Sequence, residues 1–264
     1  MKSIKRFFKK QSHSIIVKPF AGLGRNINRF YENRNHDPMS NGEATILKKL
    51  GSVSPTTIFD VGANVGDYSL LVRKYCPEAK IYCFEPVSST VNELREKLRN
   101  LNDVTIVNKG LSDVSNKISI NIYEHSVHAS IYQIKGTQSK SAKEEEIEVM
   151  CGDVFMESMR IDSVDLLKLD VEGSEMAALR GFGRALSQRK IRLIQFEYGY
   201  INITTKDLLL DFHEYLGKHG YIIGKIYPKM VEFRSYSYKH EDFIGPNFVA
   251  LHEKDETLIR LLGK

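Results

Sequence analysis

The stretch Ile58-Phe59-Asp60-Val61-Gly62-Ala63-Asn64-Val65-Gly66 constrains this chain more than any other. An apolar run of strand length feeds a turn containing two glycines, and a helix is expected from about Tyr68. A second apolar run, Ile81-Tyr82-Cys83-Phe84, ends in Glu85 and is followed by Pro86. Glycine lets the backbone turn sharply and approach a ligand closely. An acid at the tip of the next parallel strand can accept hydrogen bonds from both hydroxyls of a ribose. The pattern therefore predicts a nucleoside site at the carboxyl edge of a parallel sheet.

The spacing is not that of the dinucleotide fingerprint G-x-G-x-x-G, whose helix N-terminus faces a pyrophosphate. Here three residues separate Gly62 from Gly66, and Asp60 stands two positions before the first glycine. A carboxylate there would repel a diphosphate. It suits a ligand with a cationic end, such as the sulfonium and ammonium groups of S-adenosylmethionine (SAM). An ordinary Asp-containing turn between strand and helix is the alternative. A nicotinamide-dependent oxidoreductase is the rival enzyme class, disfavoured by Asp60 and by the missing third glycine.

The rest of the chain reads as alternating strands and helices. Strands are predicted at Thr57–Val61, Lys80–Phe84, 104–108, Val164–Leu169 and 192–196, with closing strands at 221–227 and 248–252. Helices are predicted at 43–50, 68–75, 89–101, 173–181 and 206–219. This order implies a mostly parallel sheet covered by helices on both faces, ended by an antiparallel strand. One region departs from the alternation. Residues 117–123 alternate with period two, 129–134 are expected as their hairpin partner, 135–146 as an exposed loop and 146–150 as a strand.

A chain of 264 residues with 42% hydrophobic content suits one large α/β domain, here assigned to residues 43–264. Residues 1–42 are read as a basic arm and a polar linker. The net charge of +5 is uneven, because residues 1–30 hold eight basic side chains and no acid. That arm is expected to be a basic helix packed on the domain through Ile4, Phe7 and Phe8. Contact with an anionic membrane surface or a polyanionic partner is the alternative. The apolar run Ser14-Ile15-Ile16-Val17 is cut short by Lys18 and Pro19, which makes a poor secretory signal. Cys76, Cys83 and Cys151 form neither a disulfide framework nor a zinc signature, so a reducing, cytoplasmic setting is expected.

A second dense motif is Lys168-Leu169-Asp170-Val171-Glu172-Gly173-Ser174-Glu175. An apolar strand delivers Lys168 and Asp170 to its carboxyl end. Glu172 and Glu175 open the next helix, where acids are favoured by the helix dipole alone. The following strand ends in Glu197. Four strand tips thus present Asp60, Glu85, Asp170 and Glu197 on one rim, which implies a cationic ligand or a metal. The same rim argues against nucleic acid entering the cleft, so a non-catalytic nucleic-acid module is disfavoured.

These motifs, with Gly110-Leu111-Ser112-Asp113 and Phe196-Glu197, resemble in order and spacing the FkbM family of SAM-dependent methyltransferases. The resemblance covers roughly residues 43–251. It implies a Rossmann-like class I methyltransferase fold with a seven-stranded sheet, a β-hairpin insertion within 115–146, and O-methylation of a sugar, glycan or other small-molecule hydroxyl. Carried over by position, Asp60, Gly62, Ala63, Asn64 and Gly66 would wrap the methionine end of SAM, with Tyr68 and Ser69 continuing the motif. Glu85 would hold the ribose hydroxyls, Pro86 would shape the adenine pocket, and Ser112 and Asp113 would lie near the base. Cys151 and Asp153 depart from the family pattern.

An alcohol is a weak nucleophile and needs a base or a cation. Asp170 and Glu197, with Glu172, are expected to face the acceptor as general base or as ligands of a hard cation such as Mg²⁺. Lys168 is expected either to neutralise this acidic group or to pair structurally with one of its members. His125 and His128 are alternative bases, and Tyr198 and Tyr200 are candidates for stacking on a sugar. The acceptor and the oligomeric state are left open.

Overall fold

The computed structural model describes residues 2–123, 129–130 and 141–264. His125 and His128 lie outside the described residues, as do 131–140. Three helices precede the first strand: α1 (Lys2–Lys10), α2 (Lys18–Tyr31) and α3 (Glu43–Gly51). Then come β1 (Thr57–Val61), α4 (Asp67–Tyr75), β2 (Lys80–Phe84), α5 (Ser88–Leu98) and β3 (Val104–Val107). A second sheet is made by β4 (Gly110–Leu111), β5 (Asn116–Tyr123), β6 (Ala129–Ser130) and β7 (Ser141–Met150). Alternation resumes with α6 (Gly152–Ser158), β8 (Val164–Leu169), α7 (Glu175–Arg180), α8 (Gly183–Ser187) and β9 (Ile191–Glu197). The chain closes with α9 (Asn202–Thr205), α10 (Leu209–Lys218), β10 (Tyr221–Ile226), β11 (Val231–Phe233), β12 (Asn247–His252) and α11 (Glu256–Leu262).

The main sheet runs β11-β10-β12-β9-β8-β1-β2-β3. The strands from β9 to β3 are mutually parallel, and β12 inserts antiparallel between β9 and β10. Among the described residues this main sheet has eight strands where seven were expected. The extra one, β11, pairs antiparallel with the edge of β10 over three residues, too short a run to show a period in the sequence.

The region of the expected hairpin also differs. Ala129 and Ser130 do pair with β5, but the main partner of β5 is β7, in register from Asn116↔Val149 to Ile122↔Lys143, with a shift before Tyr123↔Ser141. The acidic run 141–146 is therefore strand rather than loop. Lys143, Glu144 and Glu146 sit exposed, and Lys117 reaches Glu146 across the ladder at 2.9 Å. Beneath, Ile120, Ile147 and Val149 bury themselves against Val87.

Period-two alternation sorts the main sheet into two cores. On one face Phe59 gathers Tyr82, Phe84, Phe155 and Phe182, with ring centroids 5.3, 5.4, 5.7 and 6.2 Å away. On the other, Ile58, Ile81, Leu166 and Leu193 pack against residues of α3, α4 and α11. Asp60, Lys168 and Gln195 share the parity of this second face. Register places them side by side, Asp60↔Lys168 and Lys168↔Gln195. A polar row thus crosses the sheet one step beneath its carboxyl edge.

Phe59 is fully buried at the centre of the aromatic cluster. Replacing it with Ala is expected to remove about 3–5 kcal/mol of stability, read as a lowered midpoint in urea unfolding.

Candidate active site

The glycine-rich turn is shaped by close approach and fixed by β2. Gly62 has φ +76°, and a Cβ there would lie 1.8 Å from the Asp170 carbonyl oxygen, so a side chain cannot be accommodated. The amides of Gly62 and Ala63 both donate to the Phe84 carbonyl at 3.0 Å. The Asn64 amide donates to Glu85 Oε2 at 3.0 Å, and the Val87 amide to Glu85 Oε1 at 2.9 Å. Glu85 therefore grips the turn from the tip of β2. Burial raises its pKa above the ordinary carboxylate value, against the effect of those two amides.

Pro86 is half-buried next to Gly110, and the Asn108 side-chain amide latches the Glu85 and Pro86 carbonyls at 3.0 and 2.9 Å. Two residues on, Ser112 is half-buried and its amide donates to the Met150 carbonyl, whereas Asp113 is exposed. Cys151 holds this loop through Sγ to the Asp113 carbonyl, 3.1 Å. Asp153 caps α8, accepting from the amides of Arg184 and Ala185 at 2.7 and 2.9 Å. The departure from the family pattern at Cys151 and Asp153 is thus occupied by structural contacts.

Under the turn lies a buried charge network. Lys168 Nζ stands 3.1 Å from Asp170 Oδ2, 3.5 Å from Asp60 Oδ1 and 4.7 Å from the centroid of the Tyr68 ring. Burial opposes its charge, but Asp170, Asp60 and Glu43 outweigh that and hold its pKa above the ordinary lysine value. Asp60 is fully buried, and its Oδ2 accepts from Ser69 Oγ at 2.6 Å.

Of the residues expected around the donor, Asp60, Tyr68 and Ser69 are buried beneath the turn. Asp60 lies one residue short of the strand tip, on the face that α4 covers, and its partners are Lys168 and Ser69. Tyr68 and Ser69 also turn inward from α4, with Tyr68 Oη donating to Gln195 Oε1 at 3.0 Å. As for Mg²⁺ at Asp170 and Glu197, no group of three or more His, Cys, Asp or Glu among the described residues is arranged to hold a metal. The positive charge set among these acids is the Lys168 ammonium itself.

Sequence reading missed two members of this network. Glu43, at the start of α3, is buried, accepts from Asn41 Nδ2 and Gln195 Nε2 at 2.7 and 2.5 Å, and has its pKa raised by burial. Gln195 bridges Glu43 to Tyr68. The available signal was a polar residue at an inward position of β9.

The rim above the network is acidic. Asp170 is half-buried, and Glu172 holds φ +51° in the loop that leads to α7. Glu197, the last residue of β9, is half-buried and has its pKa raised well above the ordinary value by burial and by the charges of Asp170, Glu172 and Glu175. Glu175 is almost wholly buried. Its Oε1 accepts from the amides of Val171 and Gly173 at 3.0 and 3.3 Å, while Oε2 has no hydrogen-bond partner. Tyr198 is buried, with its hydroxyl on Glu241, and so is not available to stack on a sugar; Tyr200 is exposed.

The Methyltransferase FkbM domain matches residues 60–223, well over half of the chain. This protein belongs to the FkbM methyltransferase family. Hexuronic acid methyltransferase AglP of Haloferax volcanii is 29% identical over 162 residues, covering 60% of this chain and 64% of that protein. 2-O-methyltransferase NoeI of Sinorhizobium fredii is 27% identical over 153 residues, covering 53% and 62%. The matches therefore span about six-tenths of these relatives' length. The crystal structure of Methyltransferase FkbM from Methylobacillus flagellatus KT shares the fold, with a TM-score of 0.50 at 19% identity, over 75% of this chain and 43% of that one. The family match begins at Asp60, so Glu43 and the two helices of the arm lie outside it.

Lys168→Met leaves Asp60 buried without its counter-ion and is expected to cost about 3–5 kcal/mol. Adding Asp60→Asn should restore part of that loss in urea titrations.

Burial pushes the Glu175 carboxyl up to about 7, with Asp170 adding to the rise against the backbone amides. Its folded pKa exceeds the unfolded 4.5, so between these values the native state binds the extra proton. Stability should therefore fall by about 3 kcal/mol as pH rises from roughly 4.5 to 7 and level off above. Glu175→Gln should flatten that slope in unfolding curves measured across the range.

Proposed function

We propose that the protein is a SAM-dependent O-methyltransferase acting on a hydroxyl of a sugar, glycan or related small molecule. The carrying observation is the carboxyl edge of the sheet, where a glycine turn clamped by Glu85 stands beside the acids Asp170, Glu172 and Glu197. The names of two relatives, one specifying a hexuronic acid and the other a 2-O position, support this acceptor class.

The residues present fit the donor. Each oxygen of Glu85 takes one backbone amide. A carboxylate oxygen has a further lone pair, so Glu85 retains acceptor capacity for a vicinal diol. Gly62 and Gly66 let the turn approach a ligand closely, and Pro86 with Ser112 borders the base. When bound, SAM supplies a methyl group activated by a positively charged sulfur.

The chain's own work is then to hold the acceptor hydroxyl and take its proton. Glu197 is the proton acceptor in this reading. It ends β9 beside Asp170 on the carboxyl edge, and a positioned base contributes roughly 10²–10⁴-fold. Asp170, held at 3.1 Å by Lys168, orients the hydroxyl from the neighbouring strand tip.

Incubation with methyl-labelled SAM and a panel of uronic-acid and neutral glycans should transfer label to a hydroxyl. Glu197→Gln is expected to lower kcat by about 10²–10⁴-fold with S-adenosylhomocysteine affinity unchanged in calorimetry. Glu85→Gln should instead weaken that affinity about tenfold. Absence of any heat with S-adenosylhomocysteine would overturn the proposal.

A further inference from the structure

The arm carries an apolar face that nothing in the described chain covers. In α2, Phe20, Leu23, Ile27 and Phe30 recur at three- and four-residue spacing, which puts them on one stripe. They are 62%, 59%, 58% and 84% exposed, and no residue of α2 is buried. Ile16 continues the stripe below α2, and Phe7 and Phe8 of α1 are likewise exposed. The expected packing of Phe7 and Phe8 on the domain is therefore corrected; the side chain of Ile4 lies outside the described residues. Lys18, Arg25 and Arg29 occupy the opposite side of α2 by the same helical spacing.

This combination selects its occupant. A nucleic acid would be met by the basic side chains but not by a stripe of Phe, Leu and Ile. An anionic bilayer meets both, taking the apolar face into the boundary between headgroups and acyl chains while lipid phosphates attract the Lys and Arg side chains. Among the described residues no helix is long and apolar enough to cross a membrane, so a helix of this kind would lie flat.

The far end of α2 is fastened to the edge that carries the candidate site. Lys225 Nζ donates to Glu32 at 2.8 Å, and Asn33 Nδ2 donates to the Ile226 carbonyl, the last of β10, at 2.9 Å. The Arg34 guanidinium lies 5.0 Å from the ring centroid of Tyr200, three residues beyond Glu197. We infer that α1 and α2 form a docking surface for anionic phospholipid membranes, which sets the acidic rim beside the bilayer. This goes beyond methyl transfer and stands or falls separately from it.

The full chain should co-sediment with phosphatidylcholine vesicles containing phosphatidylglycerol, and much less with phosphatidylcholine alone. Each basic residue near an anionic surface contributes about fivefold in affinity. K18Q/R25Q/R29Q should therefore weaken binding on the order of a hundredfold, and added salt should do the same. F20S/I27S should weaken it by roughly tenfold or more, with thermal unfolding unchanged because α2 buries nothing. Equal binding to both vesicle types, or binding indifferent to both variants, overturns the inference. So does vesicle indifference with a dimer in sedimentation that F20S/I27S dissolves, which would assign the stripe to a second copy.

Discussion

One buried ammonium group organises the centre of this molecule. Lys168 lies in the middle of the sheet, where an isolated charge could not persist, and it is tolerated because carboxylates approach from two strands and an aromatic ring lies against it. Its partners come from separate elements: Asp60 from β1, Asp170 from the tip of β8, Tyr68 from α4 and, through space, Glu43 from α3. Strand register and helix packing must both be right before the charge is satisfied. A one-residue slip of β8 against β1 would turn Lys168 toward the aromatic core and strand Asp60. The network is thus a device for specifying one arrangement as much as a source of stability.

Much of the architecture was legible because its signals are local. Thr57–Val61, Lys80–Phe84 and Val164–Leu169 are strands whose apolar runs end in a glycine turn or an acid, and the structure places them as the sequence predicts. The placement of two candidate residues on the sheet was legible to the same depth. Glu85 and Glu197 reach the carboxyl edge because each ends or follows a buried run. What the chain does not announce locally is which way a side chain turns once helices cover the sheet. Asp60 and Ser69 meet each other, a contact the sequence does not announce, since α4 crosses that face of β1. Gln195 and Glu43 acquire their roles only through a contact spanning 152 residues.

The segments misread as loop or linker share one physical reason. Residues 141–146 are polar enough for solvent, yet pairing with β5 satisfies their backbone just as well. Residues 31–42 read as a polar linker, but the Asn33 side chain is buried and bridges the carbonyls of Asn41 and Ile226, while Lys225 draws Glu32 inward. Composition reports solubility. It does not report which backbone groups find partners.

The space left for a side chain at Gly62 is already filled by the carbonyl of Asp170. The turn after β1 and the loop after β8 therefore share a single packed seam. Any side chain at Gly62 would have to wedge those two segments apart, so the closeness of the backbones is set by the missing Cβ alone.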